Sequence, residues 1–282
     1  MKNRTTSATR TLVLLGDPVS HSFSPPMQSA AFAEANMDAV YVAMRCDGEA
    51  LQGLMSGIAG AGGGGNITIP HKELASTIVE VPSEAVRRTG ACNCFWLQDG
   101  KVHGDNTDVE GFRRALRTVS PGPHVGMTVL LLGAGGAARA VLTALLDEGV
   151  REVVFLNRSP ERARAVARRI GGDRVRVLQT ADEAGGRDFD LVVNATSVGL
   201  GDDDGAPVDL RSLGSVGAVM DLVYGSKPTQ LLMDAAELGV PGADGRSMLL
   251  HQGVVAFERW WPGAEAPIEV MEQALQETLR SN

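Results

Sequence analysis

Thr128-Val129-Leu130-Leu131-Leu132-Gly133-Ala134-Gly135-Gly136-Ala137-Ala138 is the stretch on which the fold class turns. An apolar run of strand length ends on G-x-G-x-x-A, and an Ala/Leu-rich segment of helical period follows from Ala137 to Glu148. A strand running straight into a glycine turn and a helix is the opening of a dinucleotide-binding unit. The first glycine permits the tight turn, the second lets backbone amides approach a pyrophosphate, and the helix N-terminus supplies partial positive charge. A plain Gly-rich strand-to-helix turn is the competing reading. On the first, Gly133, Ala134, Gly135, Gly136 and Ala137 are candidate cofactor-binding residues.

The next strand, Glu152 to Leu156, tells which dinucleotide is expected. An NAD site wants a carboxylate about 20 residues after the glycines, to take the ribose 2′-hydroxyl. Here the chain reads Phe155-Leu156-Asn157-Arg158-Ser159-Pro160-Glu161-Arg162, with no carboxylate before Glu161. Arg158 stands where a 2′-phosphate would lie and Arg162 is one helical turn further, so NADP is the expected cofactor. Against this, Ser159-Pro160 is a good N-cap and N1 pair, and Arg162, Arg164, Arg168 and Arg169 also suit a solvated helix face.

The same alternation of apolar strands and helical segments runs through the whole chain, an α/β signature. Further strands are expected at Thr11 to Leu15, Asn66 to Ile69, Leu191 to Val193 and Val219 to Val223. Helices are expected at Pro25 to Ala35, Pro160 to Arg169, Pro228 to Leu238, around Leu249 to Trp261, and at Pro267 to Leu279. Gly60-Ala61-Gly62-Gly63-Gly64-Gly65 reads as a loop entering the strand at Asn66, since it lacks the Gly-Lys-Ser/Thr ending of a phosphate loop. No role is assigned to Asp202-Asp203-Asp204.

Length and composition set the bounds. The 282 residues suggest about two domains. The 34 glycines are about 12 % of the chain against an average near 7 %, so loops should be tight or close to ligands. A net charge of −8 argues against a nucleic-acid or anionic-membrane partner, whose affinity comes from clustered Lys and Arg. Cys46, Cys92 and Cys94 form no CxxC and read as reduced thiols of a cytoplasmic protein. The apolar run Leu12 to Leu15 is too short for a signal sequence, and no stretch approaches the 18 apolar residues of a membrane span.

Three segments suggest a second site. Strand alternation in Asn66-Ile67-Thr68-Ile69-Pro70 would put Asn66 and Thr68 on one face and both isoleucines on the other, with Lys72 following. Cys92-Asn93-Cys94 would put both sulfurs on one face and Asn93 on the opposite one. Ser22 and Ser24 flank Phe23, and in an extended loop their hydroxyls would point the same way. Each has a plainer reading: Ser24 as an N-cap before Pro25, Asn66 and Thr68 as the wet face of an edge strand, Lys72 as a solvated lysine. In Asn106-Thr107-Asp108-Val109-Glu110-Gly111, four residues match the start of a calcium-binding EF-hand loop, but Arg117 occupies the position of the bidentate Glu. No metal site is expected, and His71 is expected to pack, not to do chemistry.

Gly16-Asp17-Pro18-Val19-Ser20-His21-Ser22-Phe23-Ser24-Pro25, Asn66 through Lys72, Ala91-Cys92-Asn93, Asn106-Thr107-Asp108 and the Gly133 fingerprint resemble shikimate dehydrogenases, in order and at similar spacing. Asn157-Arg158-Ser159, Asn194-Ala195-Thr196-Ser197, Asp221-Leu222-Val223-Tyr224 and Met248 through Gly253 extend the resemblance over nearly the whole chain. It implies a central Rossmann NADP-binding domain, residues 108–246, inserted into a discontinuous α/β substrate-binding domain, residues 1–107 and 247–282. The implied reaction is reversible reduction of 3-dehydroshikimate to shikimate, on the route to chorismate and aromatic amino acids. By position, Ser22, Ser24, Asn66, Thr68, Lys72, Asn93, Asp108, Tyr224 and Gln252 would contact the substrate, with Lys72 and Asp108 the catalytic pair. Asn157, Thr196 and Gly245 would join the arginines and the fingerprint at the cofactor. The chain departs from the family's usual pattern at Gln28-Ser29, where His-Asn is common, at Val109 in place of Gly, and at Cys92-Asn93-Cys94 in place of Val-Asn-Thr. A quinate or amino-shikimate dehydrogenase is therefore the alternative within the family. A non-catalytic NADP-binding module is the alternative outside it, and the intact Lys72 and Asp108 weigh against that. A homodimer is one oligomeric state open to the chain.

Overall fold

The computed structural model describes residues 5–201 and 205–281, so Asp202-Asp203-Asp204 lies outside the described residues. Contacts divide the chain into two compact units, one reaching to Gly111 and resuming at Leu249, the other Phe112–Met248. The chain crosses between them inside helices and not in loops.

The first unit begins β1 (Arg10–Gly16), α1 (Ser24–Glu34), β2 (Ala39–Arg45), α2 (Gly48–Gly60), β3 (Gly64–Ile67) and α3 (Lys72–Ile78). It continues with β4 (Val81–Pro82), α4 (Glu84–Thr89), β5 (Cys94–Gln98), β6 (Lys101–Asp105) and the start of α5 (Thr107–Val119). Its six strands form one mixed sheet in the order β2-β1-β3-β5-β6-β4, with β3-β5 and β5-β6 antiparallel and the other pairs parallel. Local chemistry fixes the helix starts: Asp47 accepts the Ala50 amide and Ser83 the Val86 amide as N-caps, and Gly90 ends α4 in the left-handed region at φ 64°.

The glycine run is a loop only as far as Gly63, and the strand begins at Gly64 instead of Asn66. Gly64 and Gly65 lie inside β3, between β1 and β5. A Cβ on Gly65 would stand 2.2 Å from the Val13 carbonyl oxygen, and one on Gly64 2.6 Å from that of Phe95. These positions take glycine because neighbouring strands press against the backbone, a non-local cause that the local sequence does not display. β3 also ends sooner than alternation suggests. After Ile67 the chain turns towards α3, so Ile67 is buried whereas Ile69 is 61 % exposed, and the two isoleucines do not share a face.

The second unit continues with β7 (Thr128–Leu132), α6 (Gly136–Asp147), β8 (Glu152–Leu156), α7 (Pro160–Val166), β9 (Val175–Val177) and β10 (Leu191–Asn194). Then follow β11 (Val219–Asp221), α8 (Gln230–Glu237) and β12 (Gly242–Ala243). All its strands are parallel, in the order β12-β11-β10-β7-β8-β9, which is the doubly wound dinucleotide-binding order with its switch point between β7 and β10. The core on one side is built from Leu130, Val154, Val192, Val219 and Leu231. The near-continuous apolar reading of β7, β8 and β10 is what a sheet covered on both faces demands. The chain returns to the first unit within α9 (Arg246–Trp260) and ends in α10 (Ile268–Ser281). In the first unit Phe257, Trp260 and Trp261 pack with Phe32, and Trp260 also with Tyr41.

Candidate active site

In the first unit Lys72, Asn93, Asp108 and Gln252 converge where α3, α5 and α9 begin or pass, whereas no bond joins Ser22, Ser24 or Thr68 to them among the described residues. Lys72 is the first residue of α3 and Asp108 sits in the first turn of α5. Lys72 Nζ donates to Asp108 Oδ2 at 2.6 Å, the ammonium side chain keeping 16 % exposure and the carboxylate 5 %. The solvated-lysine reading of Lys72 is therefore set aside. Asn93 Nδ2 donates to Asp108 Oδ1 at 2.8 Å and to Thr107 Oγ1 at 3.0 Å, and stands 3.4 Å from Gln252 Oε1 of α9. Asn93 Oδ1 accepts the Thr107 amide at 2.7 Å. One carboxylate thus has a cation on one oxygen and a neutral amide on the other, in a buried surround that fixes both.

Asn66 is buried at the end of β3 and is tied to the same network, its Nδ2 donating to the Asn93 carbonyl at 3.0 Å. Its Oδ1 accepts from the Tyr41 hydroxyl at 2.8 Å. Burial raises the Tyr41 phenol well above its usual range, with the Cys94 thiol adding, so Tyr41 is a neutral donor. Tyr41 was not singled out by sequence reasoning: it lies on β2, 25 positions from its partner, and nothing local marks it. The wet-edge reading of Asn66 fails, since β3 is a central strand. Thr68 is half-buried beyond β3, its methyl group placed where a Cβ on Gly16 would meet it.

The two serines correct another expectation. The loop before α1 is not extended, as Ser22 N–H bonds the Val19 carbonyl in a turn. Ser24 is the first residue of α1 and not its cap. Ser22 Oγ accepts the Ser24 amide at 3.2 Å, while the N-cap position is Phe23 with no side-chain bond. Ser24 is buried, and Ser22 half-buried. The sulfurs also depart from the expected arrangement. The strand starts only at Cys94, so alternation does not extend back to Cys92. Cys92 packs in the core with Val79 and Phe95, whereas Cys94 lies with Tyr41 and Trp260. Burial pushes the Cys92 thiol up to about 12 and that of Cys94 also upward, which leaves both protonated and chemically inert. His71 Nε2 faces the Cys46 carbonyl at 2.8 Å in a buried contact, a packing role. Among the described residues no group of His, Cys, Asp or Glu is arranged to hold a metal ion.

In the second unit the fingerprint sits at the switch point. Gly133 has φ 100°, and a Cβ there would lie 2.7 Å from the Ala195 carbonyl oxygen, so the turn needs glycine both for its angle and for the approach of β10. Gly135 caps α6 without a side-chain bond, and α6 has no acidic residue in its first turn. The space that a Gly135 side chain would enter holds nothing within 4 Å. A helix N-terminus with uncapped amides and an open approach fits a pyrophosphate. Ala134 is buried behind it, and Gly136 and Ala137 open the helix. Thr196 is fixed by Asn194, whose Oδ1 accepts both its amide and its hydroxyl.

Arg158 and Arg162 are exposed beyond β8, and Asn157 Nδ2 donates to the Ser159 carbonyl. Ser159 occupies the N-cap position of α7 with Pro160 next, but makes no capping bond. α7 is regular only to Val166, short of the expected Arg169. Tyr224 follows β11, and Gly245 lies against its segment: a Cβ there would be 2.9 Å from the Tyr224 ring.

The chain matches the shikimate dehydrogenase substrate binding domain over residues 14–95, shikimate / quinate 5-dehydrogenase over 117–199, and the shikimate 5′-dehydrogenase C-terminal domain over 245–276. It is 40 % identical to the shikimate dehydrogenase (NADP(+)) of Methanopyrus kandleri, over 96 % of this chain and 97 % of that one. The chain belongs to the shikimate dehydrogenase family. The family's solved structures agree with the fold: shikimate dehydrogenase from Aquifex aeolicus has a TM-score of 0.87 at 33 % identity, covering 97 % of this chain and 100 % of that one. The Thermus thermophilus enzyme in complex with NADP(H) and shikimate has 0.85 at 36 %, covering 95 % and 99 %. No helix among the described residues is long and apolar enough to cross a membrane.

Proposed function

We propose that the protein is an NADP-dependent shikimate dehydrogenase, interconverting 3-dehydroshikimate and shikimate in the cytoplasm as a step of aromatic amino-acid synthesis. The observation that carries this reading is the Lys72–Asp108 pair, held by Asn93, whose other side-chain partners Thr107 and Gln252 are neutral. NADP, bound by Gly133 to Ala137, Asn157, Arg158, Arg162, Thr196 and Gly245, supplies or accepts the hydride. As the substrate carbonyl is reduced, negative charge grows on its oxygen, and the Lys72 ammonium stabilises that charge and delivers the proton. Asp108 orients the ammonium through its 2.6 Å bond, and Asn93 on its other oxygen keeps the carboxylate from turning. Ser22 and Ser24 bind the substrate carboxylate by hydrogen bonds without a counter-charge, so Lys72 stays available for chemistry. Asn66, Thr68, Asn93, Tyr224 and Gln252 read the ring hydroxyls and carboxylate. The expected division at 107/108 and 246/247 shifts by a few residues: the first unit, to Gly111 and from Leu249, serves as the substrate-binding domain, and Phe112–Met248 as the NADP-binding domain.

NADP reduction followed by absorbance, with shikimate and quinate offered separately, tests the reading. Turnover with shikimate in excess of quinate is expected, quinate preference would move the protein to the quinate branch, and no reduction with either overturns the proposal. Arg158→Asp should weaken NADP by about tenfold or more relative to NAD, the scale of one lost charge-assisted bond. Size-exclusion chromatography of the same preparation decides on a homodimer.

A further inference from the structure

Gln28 is fully buried on α1, and its two amide atoms are unequally served. Nε2 donates to the Gly253 carbonyl at 2.9 Å, while Oε1 has no hydrogen-bond partner. A buried acceptor without a partner is a cost, and an apolar side chain of the same shape would avoid it. The contact that the donor makes must therefore matter for something other than stability. Its target lies directly after Gln252, the α9 residue that faces Asn93. The backbone of α9 is gripped from two sides at this point. A Cβ on Gly253 would stand 2.4 Å from Met27 Cε, and one on Gly111 of α5 would stand 2.8 Å from Gln252 N. α5 carries Asp108 one turn before Gly111, and α1 carries Ser24 one turn before Gln28.

We infer that Gln28 is a positioning residue for substrate recognition: its amide sets the register of α9 on α1 and so holds Gln252 at the substrate. This rests on the proposed shikimate dehydrogenase activity and on Gln252 contacting the substrate. Gln28 touches no substrate itself and acts through the main chain of its partner.

Gln28→Met tests it, because methionine matches glutamine in shape but cannot donate. Initial rates with shikimate and NADP should show KM for shikimate raised about fivefold, the scale of one weakened hydrogen bond, with kcat and KM for NADP within about twofold. The melting temperature should not fall, since the unpartnered oxygen is removed together with the donor. In a Gln252→Ala background the same substitution should add almost nothing, as two residues acting through one contact are not additive. An unchanged KM in Gln28→Met, a full fivefold effect on top of Gln252→Ala, or a variant that melts early or fails to fold would each overturn the inference. Absence of shikimate oxidation in the parent protein would instead remove the activity on which it rests.

Discussion

Replacing Lys72 by methionine separates the chemical role of this side chain from its structural one. In the parent, Asp108 is 4 % exposed and takes Lys72 on one oxygen and Asn93 on the other, at 2.6 and 2.8 Å. Methionine fills the space but brings no charge, so a buried carboxylate is left with the amide alone. Breaking a fully buried pair costs about 3–5 kcal/mol. Lys72 keeps 16 % of its side-chain exposure and Asn93 still donates, so we expect about 2–3 kcal/mol here, just below that scale. Turnover should fall by about two to four orders of magnitude, the range for a general acid/base group, with substrate binding weakened far less.

The second half of the experiment is Lys72→Met combined with Asp108→Asn. The amide still accepts from Asn93, and no buried charge remains, so most of the lost stability should return. Turnover should not return, because neither the ammonium nor its anchor is present. Urea unfolding of the four proteins and initial rates of NADP reduction give both halves of the cycle. If the double variant regained activity along with stability, the loss in Lys72→Met would be one of folding and the chemical role would fall. Near-parent turnover in Lys72→Met would refute it more directly.

Gly65→Ala should cost at least about 3 kcal/mol, since its Cβ would stand 2.2 Å from the Val13 carbonyl oxygen with no flexible side chain to yield. Soluble yield and the urea midpoint check this, and a midpoint equal to the parent's would show that β3 shifts freely. Asp221 is buried, and burial raises its carboxyl above the usual range against hydrogen bonds from Thr229, the Val223 amide and Asn194, with Asp244 adding to the rise. A raised folded-state value means that its contribution to stability is fully present below about pH 4 and is lost as pH rises through the folded value. Asp221→Asn does not titrate, so its stability relative to the parent should improve as pH rises from about 4 through the folded value and level off above it. A difference in melting temperature that stays constant over that interval would contradict the assigned shift.

What the sequence discloses follows the range of the interaction responsible. β7, β8 and α6 were legible within one residue at either end because buried parallel strands are apolar throughout and their turn demands glycine locally. Lys72, Asp108 and Asn93 were found as parts of motifs, but nothing local could show that they meet. Where the cause is distant, local reading failed: Gly64 and Gly65 look like a loop because the carbonyls that exclude a side chain belong to other strands. Ser24 looks like a cap because Ser-Pro usually is one, yet Ser22 takes the amide. Tyr41 carries no local signal and Gln28 stands out only as a departure from the family's usual pattern, since their partners lie 25 and 225 positions away.

The count of protons on Asn93 explains why Gln252 must be held by its backbone. An amide nitrogen has two hydrogens, and Asn93 Nδ2 has three acceptors within reach: Asp108, Thr107 and Gln252. The contacts to Asp108 and Thr107 are 2.8 and 3.0 Å, and that to Gln252 is 3.4 Å, so Gln252 receives the weakest share. Its own Nε2 donates to the Leu249 carbonyl on the same helix, which fixes the side chain to α9 but not α9 to the site. On the proposed function, a loosely held Oε1 could pass to a substrate hydroxyl without breaking the Asn93–Asp108 bond. The same looseness means that the side-chain network cannot fix the position of α9. That task falls to contacts with its main chain, and the bond from Gln28 to the Gly253 carbonyl, adjacent to Gln252, is one of them.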